Sequence, residues 1–299
     1  MPDIYLPVII SDGRIFSSSL GAQVEGDLLG REQWLVPGRI IQWAVKWDVV
    51  ERVRGVYTWP ENYDTTARLL QGYETIIGIK VCPPWARLWP HAGSPPDPRY
   101  YSDLIRFIQA VQNRYHPNAI EFFNEPDCMY SPDFPFGEFF GAWVGPGETW
   151  YAGGRRYGEA TSKVYPGLGS KLLSGALMMH DYSLEFLRGA LDAGLRADAI
   201  SYHTYAHSPA EFNLPEIHAA EIRACANNGL PLVLSETSVT AAVDTPELRR
   251  WQADYVRYLI NWTGVLAKIW YSYANNGWEN SDLVYNEPKP AYFVWKGGT

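Results

Sequence analysis

The order of secondary-structure signals along the chain is the feature that most restricts its fold. Short apolar runs alternate with segments whose apolar residues recur at helical spacing. The predicted strands cover residues 6–10, 39–45, 75–81, 119–124, 171–179, 198–205, 232–236 and 265–273. The predicted helices cover residues 64–72, 101–115, 157–165, 183–193, 215–227, 246–262 and 290–295, with a further short helix at 27–34. Because such alternation is typical of parallel βα units, the eight strands predict an α/β fold, a single (β/α)8 TIM barrel.

The chain is long enough for one such barrel and has no obvious boundary. It contains 299 residues, and no linker, low-complexity tract or fixed-period repeat divides it, so we assign residues 1–299 to a single domain. A long aromatic insertion, residues 128–154, follows the fourth strand. Irregular segments of this length often form a lid or a wall of a binding site. Its aromatic side chains either offer flat surfaces to a ligand or pack in the insertion's own core: Phe134, Phe136, Trp143, Trp150 and Tyr151.

Charge and composition argue against several classes of partner. The net charge of −8 and the isoelectric point near 5.3 argue against nucleic acids and anionic membranes. Three cysteines without a Cys-x-x-Cys pair indicate neither a disulfide framework nor a zinc knuckle. No apolar run approaches the roughly 20 residues of a membrane helix. We expect a monomer, either cytoplasmic or secreted with a leader that this sequence does not include.

Two of the predicted strands end in a glutamate. The fourth strand leads into Glu125, and Pro126 stops it there because proline has no N–H for a strand ladder. The seventh strand, residues 232–236, ends on Glu236. The two glutamates are far apart in sequence and can meet only if the fold brings the carboxyl ends of their strands together. A parallel barrel does this.

The tripeptide Asn-Glu-Pro around Glu125 carries little information by itself, since all three residues are ordinary in turns. It recurs at residues 286–288, after a polar stretch and a short apolar run, where we interpret it as the loop into the last helix. Glu125 differs from that copy because a long apolar strand precedes it and a second strand-end glutamate accompanies it.

The active site of a (β/α)8 barrel lies at the carboxyl ends of its strands, so the residues at those positions are the candidates for function. Apart from the two glutamates they are aromatic, imidazole or amide side chains: Trp47, Trp85, Asn124, His180, His203, Tyr205, Trp270 and Tyr273. Two carboxyl groups in such surroundings suit cleavage of a glycosidic bond, which needs one protonated carboxyl and one ionised carboxylate. Aromatic rings also offer flat apolar faces to sugars.

Six segments together give the chain a resemblance to a known group of enzymes. They are residues 45–64, Pro-Pro-Trp-Ala at 83–86, Asn-Glu-Pro-Asp at 124–127, Ser-Tyr-His-Thr-Tyr at 201–205, Leu-Ser-Glu at 234–236 and Pro-Lys-Pro-Ala-Tyr at 288–292. From about residue 40 onward, the chain resembles retaining glycoside hydrolases of the (β/α)8-barrel clan whose catalytic glutamates follow strands four and seven. Families 39 and 5 are the most similar branches of that clan.

The resemblance implies a role for each matching residue. Glu125 would be the acid/base and Glu236 the nucleophile of a double displacement that hydrolyses a β-linked polysaccharide or oligosaccharide. The implied substrate contacts are Asn124, which would bind the 2-hydroxyl of the sugar, His203, Tyr205, Trp270, Trp85 and Trp47.

The surroundings of the nucleophile depart from the pattern at one position. His203 and Tyr205 would border Glu236, and Trp270 would form the floor under the ring being cleaved. Many relatives have an arginine near the end of strand two that pairs with the nucleophile, where this chain has Gln42. Without that cation, the charge of Glu236 would depend on hydrogen bonds from Tyr205 and its neighbours.

Two other functions remain open from the sequence. A barrel can keep a sugar cleft as a carbohydrate-binding module without hydrolysis, although the presence of both glutamates argues against this. A metal-dependent hydrolase would need a His-x-His pair at an early strand, which this chain lacks. His203 and His207 are four residues apart in a strand that runs into a loop, where that spacing does not bring two rings together. We therefore expect no metal and no other cofactor.

Overall fold

Eight parallel strands form the centre of the protein and close into a barrel. The computed structural model describes residues 15–24, 32–129, 141–227, 229–271, 281, 283 and 288–297. The strands are β1 Leu20–Gln23, β2 Ile40–Lys46, β3 Glu74–Lys80, β4 Ala119–Asn124, β5 Lys171–Ala176, β6 Ile200–Ala206, β7 Leu232–Val239 and β8 Ala267–Trp270. Their order in the sheet is β5-β4-β3-β2-β1-β8-β7-β6. The predicted (β/α)8 barrel is confirmed.

The two outer strands of this order, β5 and β6, meet along a seam of separate backbone contacts. Ser174 N donates to Ala199 O at 3.0 Å, and Leu177 N donates to Ser201 O at 3.1 Å. His203 N in turn donates to Leu177 O at 2.8 Å. These bonds close the barrel, although the contacts are isolated bridges rather than a continuous ladder.

Helices follow the strands and cover the outside of the barrel. They are α1 Trp47–Val50, α2 Glu61–Leu69, α3 Tyr101–Tyr115, α4 Trp150–Val164, α5 Ser183–Asp192, α6 Leu214–Ala226, α7 Pro246–Asn261 and α8 Pro290–Lys296. Threonine side chains cap two of them: Thr149 accepts from Ala152 N at 3.2 Å, and Thr245 accepts from Leu248 N at 3.0 Å. The described helices are all too short or too polar to cross a membrane.

The first strand differs from the sequence prediction. The strand that pairs with β2 and β8 is β1, whereas the predicted strand at residues 6–10 lies outside the described residues. β1 has only four residues, two of which are Gly21 and Ala22, so it lacks the β-branched residues that mark a strand. Of the short helix predicted at residues 27–34, only a 3₁₀ turn at Glu32–Trp34 lies in the described part.

Other boundaries differ by a few residues. α4 starts at Trp150 rather than residue 157, so it takes up the last part of the predicted aromatic insertion. β5 ends at Ala176 rather than 179, and β7 extends to Val239 rather than 236. Residues 130–140 of the insertion and Tyr273 lie outside the described residues.

The inside of the barrel is apolar at one end and polar towards the other. A layer of side chains near the amino-terminal ends of the strands consists of Phe16, Ile40, Ile76, Ala119, Leu173, Ala199, Val233, Ala267 and Ile269. Further along the strands the interior holds polar groups: Gln42 Nε2 is 3.4 Å from both Gln23 Oε1 and Glu121 Oε1. The apolar layer seals the amino-terminal end, so chemistry that needs polar groups is confined to the carboxyl end.

Candidate active site

Glu125 leaves β4 in an unusual backbone conformation. The φ angles of Phe123 and Glu125 are 64° and 46°, which lie in the left-handed region that residues other than glycine rarely adopt. Each such residue costs about 1–3 kcal/mol and persists only where its surroundings hold it. One holding contact comes from Tyr157 of α4, whose hydroxyl donates to Phe122 O at 2.9 Å. The distortion sets the direction in which the Glu125 side chain leaves the strand.

Strand β5 makes room for this distortion because its residue beside the distorted backbone, Gly175, has no side chain. A Cβ atom on Gly175 would lie 2.4 Å from Phe123 O and 2.6 Å from Phe122 O. The Gly175 N–H also donates to the Tyr157 hydroxyl at 2.5 Å. Gly175 and Tyr157 therefore fix the position of the β4 backbone just before Glu125.

A β-bulge turns Glu236 into the barrel. Tyr202 of β6 pairs with Leu234, but the next residue, His203, pairs with Glu236, so Ser235 is an extra residue in β7. Side chains normally alternate between the two faces of a strand, and a bulge resets this alternation. As a result Glu236 lies beside His203, while the next residue, Thr237, faces outward and its hydroxyl lies 2.8 Å from the Tyr255 hydroxyl of α7.

The two glutamates converge on His203. His203 Nδ1 lies 2.8 Å from Glu125 Oε1 and 3.5 Å from Glu236 Oε2. The Tyr205 hydroxyl donates to Glu236 Oε2 at 2.5 Å. A carboxylate oxygen of Glu125, a ring nitrogen of His203 and a carboxylate oxygen of Glu236 all lie within 4.8 Å of one another. The relative exposures of these three residues are 5%, 1% and 5%, so the cluster is almost completely removed from bulk water.

Burial and charge together shift the protonation of this cluster. Burial raises the pKa of Glu125, more strongly than the charge of Glu236 does, and the hydrogen bond and charge of His203 oppose the rise. Burial lowers the pKa of His203, but the charges of Glu236 and Glu125 outweigh it and raise that pKa to about 9. At neutral pH a proton is therefore held at the short contact between His203 and Glu125.

A third carboxyl group, Glu121, lies inside the barrel on the amino-terminal side of the pair. It is fully buried, and burial raises its pKa to about 7. Gln42, which the resemblance matched to an arginine, contacts Glu121, whereas the described partners of Glu236 are His203 and Tyr205. The sequence analysis did not select Glu121, although it precedes Glu125 by four residues and so shares its face of a regular strand.

The predicted aromatic contacts differ in their exposure. Trp47 is fully buried, donates its Nε1–H to Glu51 Oε2 at 2.6 Å and stacks on Phe107, so it offers no face to a ligand in this structure. Trp85 is half-buried and packs edge-on against Trp47, with ring centroids 5.6 Å apart. Trp270 is buried and donates its Nε1–H to Ser281 O at 2.8 Å.

The remaining strand-end residues have polar partners of their own. Asn124 is buried next to Glu125. His180 Nε2 lies 3.0 Å from the backbone oxygen of Asp127, and His207 Nδ1 lies 3.0 Å from Thr240 Oγ1. His203 and His207 are thus held by different partners, as the sequence analysis expected for residues four apart in a strand.

The described aromatic residues of the insertion are either buried or half-buried. Trp143 is fully buried and packs against Phe122 and Tyr157, whereas Trp150 lies beside the loop after β5. The Tyr151 hydroxyl donates to Asp192 Oδ2 at 2.8 Å. Phe134 and Phe136 lie outside the described residues.

Depressions at the opposite end of the barrel lack comparable chemistry. One contains no carboxylate and is lined by Gln109, Gln112, Asn113, His116, Pro117, Gly167, Gly169 and Ser170. A second contains Asp64, which is paired with Arg114 at 2.6 Å. Among the described residues, the cluster around His203 is therefore the strongest candidate for an active site.

Comparisons with known proteins show which solved structures share the fold. No protein-family model matches the chain, and no curated protein matches its sequence. A family 39 glycoside hydrolase from the gut symbiont Bacteroides cellulosilyticus WH2 has a similar structure, with a TM-score of 0.63 and 17% identity. The match covers 93% of this chain and 62% of that one, so this chain spans less than two thirds of that protein's length.

Two further solved structures share the fold. A GH5_18 protein from Bifidobacterium longum subsp. infantis has a TM-score of 0.67 at 13% identity, over 93% of this chain and 77% of that one. A GH128 endo-β-1,3-glucanase from Amycolatopsis mediterranei, solved with laminaripentaose, has a TM-score of 0.59 at 16% identity, over 94% and 99% of the two chains. The chain therefore has the parallel eight-stranded barrel that these glycoside hydrolases share.

Replacing Gly175 with alanine should destabilise the protein. In an unstrained position the change would stabilise slightly, by about 0.4–1 kcal/mol, because it restricts the unfolded chain. Here the new Cβ atom meets two backbone oxygens, and overpacking of this kind costs about 1–3 kcal/mol. Urea unfolding should show this loss for Gly175→Ala and none for Gly169→Ala, where a Cβ atom meets nothing within 4 Å. Equal stability of the two variants would contradict the proposed backbone constraint.

Stability should fall as the pH rises through the titration of His203. Its pKa is about 9 in the folded protein against 6.5 for the free group, so its stabilising effect is complete below pH 6.5 and is lost as the pH passes 9. Between these two pH values, a difference of one bound proton between the folded and unfolded states changes the free energy of unfolding by about 1.4 kcal/mol per pH unit. Urea unfolding at several pH values should show this slope, and His203→Gln should reduce it.

The control is His116→Asn, which changes an exposed histidine at the other end of the barrel. Its pH dependence should match that of the unaltered protein. An unchanged slope in His203→Gln would mean that His203 is not the group that holds the proton.

Proposed function

We propose that the protein is a retaining β-glycosidase that hydrolyses a β-linked polysaccharide or oligosaccharide by double displacement. Glu236 is the nucleophile and Glu125 is the acid/base. The observation that carries the proposal is the pair of buried carboxyl groups of Glu125, just after β4, and Glu236, in the second half of β7, with donor oxygens within 4.8 Å of each other and of a ring nitrogen of His203.

The separation of the carboxyl groups supports retention of configuration. Retaining glycosidases place their two carboxyl groups about 5–5.5 Å apart, whereas inverting enzymes need about 6.5–9.5 Å to fit a water molecule between carboxylate and sugar. One oxygen of Glu125 lies within 4.8 Å of one oxygen of Glu236, and carboxyl groups with oxygens this close suit direct attack by a carboxylate.

The hydrogen bonds of the two glutamates support the assignment of their roles. Glu236 accepts a short bond from the Tyr205 hydroxyl, which suits a carboxylate that reacts as an anion. The raised pKa of Glu125 suits a group that must donate a proton. Glu125 gives this proton to the leaving oxygen while Glu236 bonds to the anomeric carbon. In the second step Glu125 takes a proton from water, which displaces Glu236 and regenerates both groups.

His203 serves as the partner of Glu125 in this cycle. With the proton on His203, Glu125 is a carboxylate; with the proton on Glu125, His203 is neutral. The net charge of the cluster is the same in both forms, and the 2.8 Å contact joins the two positions directly. His203 therefore compensates the buried negative charge without preventing Glu125 from acting as an acid.

The substrate contacts follow from the same placement. Asn124 precedes Glu125 and binds the 2-hydroxyl of the reacting sugar. Trp85 serves as a ring surface, while the fully buried Trp47 supports it from behind. Trp270, at 2% exposure, offers no open face to a sugar in this structure. A β-linked glucan or xylan chain is the substrate class that the similar structures favour, since they include an endo-β-1,3-glucanase and an endo-β-1,4-xylanase. The monomeric state, the lack of a nucleic-acid partner and the cellular location stay predictions.

Replacing either glutamate with glutamine should remove most of the activity on an aryl β-glycoside, by at least about 100-fold, because each carboxyl makes or breaks a bond in the reaction. Glu159→Gln, an exposed position on α4, is the control and should keep full activity. A Glu125→Gln or Glu236→Gln variant with undiminished turnover would refute the proposal. Azide should restore turnover with inverted product in Glu236→Gly and with retained product in Glu125→Ala; the swapped outcome would reverse the two roles.

A metal-dependent reaction is the alternative that one observation favours, because Glu125, His203 and Glu236 offer three close donor atoms for a divalent cation. The 2.8 Å His203–Glu125 contact argues against it, since a cation would have to replace this hydrogen bond at two of its three ligands. Turnover should be unchanged after treatment with EDTA and dialysis. Loss of activity that Zn²⁺ or Mn²⁺ restores would favour the metal reaction.

The second alternative is a carbohydrate-binding barrel without turnover. It differs from the proposal in one measurable respect, the release of new reducing ends from an oligosaccharide. Binding of laminari-, cello-, manno- or xylo-oligosaccharides by the unaltered protein, with no product after prolonged incubation, would favour the binding module.

A further inference from the structure

A stacked pair of aromatic rings lies next to the loop that follows β4. The rings of Trp150 and Tyr182 are 4.1 Å apart between centroids and 18° from parallel. Two aromatic side chains among the described residues are largely exposed, Tyr182 at 48% and Phe293 at 54%. Tyr182 lies in the loop after β5, at the carboxyl end of the barrel, whereas Phe293 lies on the last helix.

The pair is tied to the backbone that follows Glu125. Trp150 Nε1 donates to Asp127 O at 2.8 Å, and His180 Nε2 lies 3.0 Å from the same oxygen. Asp127 is two residues after Glu125, and two residues of extended chain span at most about 7 Å. The backbone oxygen that anchors the pair is therefore close to the backbone of Glu125. The pair is thus a part of the active-site rim rather than a distant surface feature.

The Asp127 side chain holds the loop that carries Tyr182. Its carboxylate accepts from Met178 N at 3.1 Å and from the Ser183 hydroxyl at 2.5 Å. Both residues belong to the segment between β5 and the first turn of α5. The loop after β5 is therefore fixed relative to the loop after β4, as a binding surface for a defined ligand requires.

The exposed surface around the pair includes apolar side chains, and the exposed charged residue next to Tyr182, Asp181, is acidic rather than basic. Met129 and Met178 are exposed by 37% and 39%, and Met178 Sδ lies 3.0 Å from Cys128 Sγ. Exposed apolar groups that cluster beside a cleft are typical of ligand contacts. Flat aromatic and flexible thioether side chains fit the C–H faces of a neutral sugar rather than an acidic group, which would need a basic partner.

We propose that Tyr182, supported from behind by Trp150, is the platform for the leaving-group sugar of a neutral β-linked oligosaccharide. This inference rests on the proposed function. Glu125 protonates the oxygen of the departing sugar, so that sugar lies on the Glu125 side of the scissile bond. The platform is anchored on this side, through Asp127. The platform therefore contributes to binding when the leaving group is a sugar. It makes no contribution when the leaving group is a small ion.

The test compares substrates with and without a leaving-group sugar. The pentaoses of the laminari, cello, manno and xylo series place a sugar on the platform, whereas the β-fluorides of the matching disaccharides lose only fluoride ion. The measurement uses the sugar series whose pentaose and fluoride the unaltered protein hydrolyses. For that series, Tyr182→Ala should lower kcat/KM for the pentaose about tenfold or more and leave kcat/KM for the fluoride unchanged. Tyr182→Phe should keep most activity on both, because the ring rather than the hydroxyl forms the surface.

Phe293→Ala removes an aromatic ring of similar exposure on α8 and is the matched control; it should change neither value. The platform is refuted if Tyr182→Ala leaves the pentaose reaction unchanged, or if it impairs both substrates equally, which would indicate a structural role. Failure of the unaltered protein to turn over any pentaose or fluoride would instead refute the proposed function, and the platform with it.

Discussion

The site depends on one buried imidazole ring between two carboxyl groups. Removing a carboxylate from water costs several kcal/mol even after the protein relaxes, and two adjacent carboxylates also repel each other. His203 offsets both effects, since its Nδ1 is within 2.8 Å of Glu125 and 3.5 Å of Glu236. The same contact makes the protonation of Glu125 and His203 interdependent. A single side chain of β6 thus allows two acidic groups to lie close together out of contact with bulk water.

The two strands that carry the glutamates depart from regular geometry at or next to the glutamates. β4 adopts left-handed backbone angles at Phe123 and Glu125, and β7 contains a bulge at Ser235. In a regular β7 the Glu236 side chain would face away from the barrel interior, because Val233 faces it. In β4 the left-handed angles set the direction in which Glu125 leaves the strand. Two neighbouring residues accommodate the strained backbone of β4. Gly175 leaves room for it, and the Tyr157 hydroxyl forms a hydrogen bond with it. Local strain of this kind is typical of functional sites.

Much of this arrangement could be predicted from the sequence because it depends on local patterns. The strands that end in Glu125 and Glu236 are apolar runs with clear ends, and the barrel brings such ends together. β1 could not be recognised because it is short and contains small residues. The burial of Trp47 was also hidden from the sequence: Trp47 follows β2 directly, but the chain turns there into a one-turn helix that directs the ring into the core. Contacts such as His203 with Glu125 depend on a bulge and on strained backbone angles, which no spacing of residues reveals.

The closing seam of the barrel gives the site a particular vulnerability. Glu125 and the Tyr182 platform belong to the side of the seam that ends in β5, and His203, Tyr205 and Glu236 belong to the side that begins with β6. Among the described residues, the backbone pairing between β5 and β6 consists of isolated bridges rather than a ladder, and one of its hydrogen bonds uses the backbone of His203 itself. A partial opening there would separate the acid from its imidazole partner while the other strand ladders stayed intact. Loss of function on heating would then precede loss of the fold.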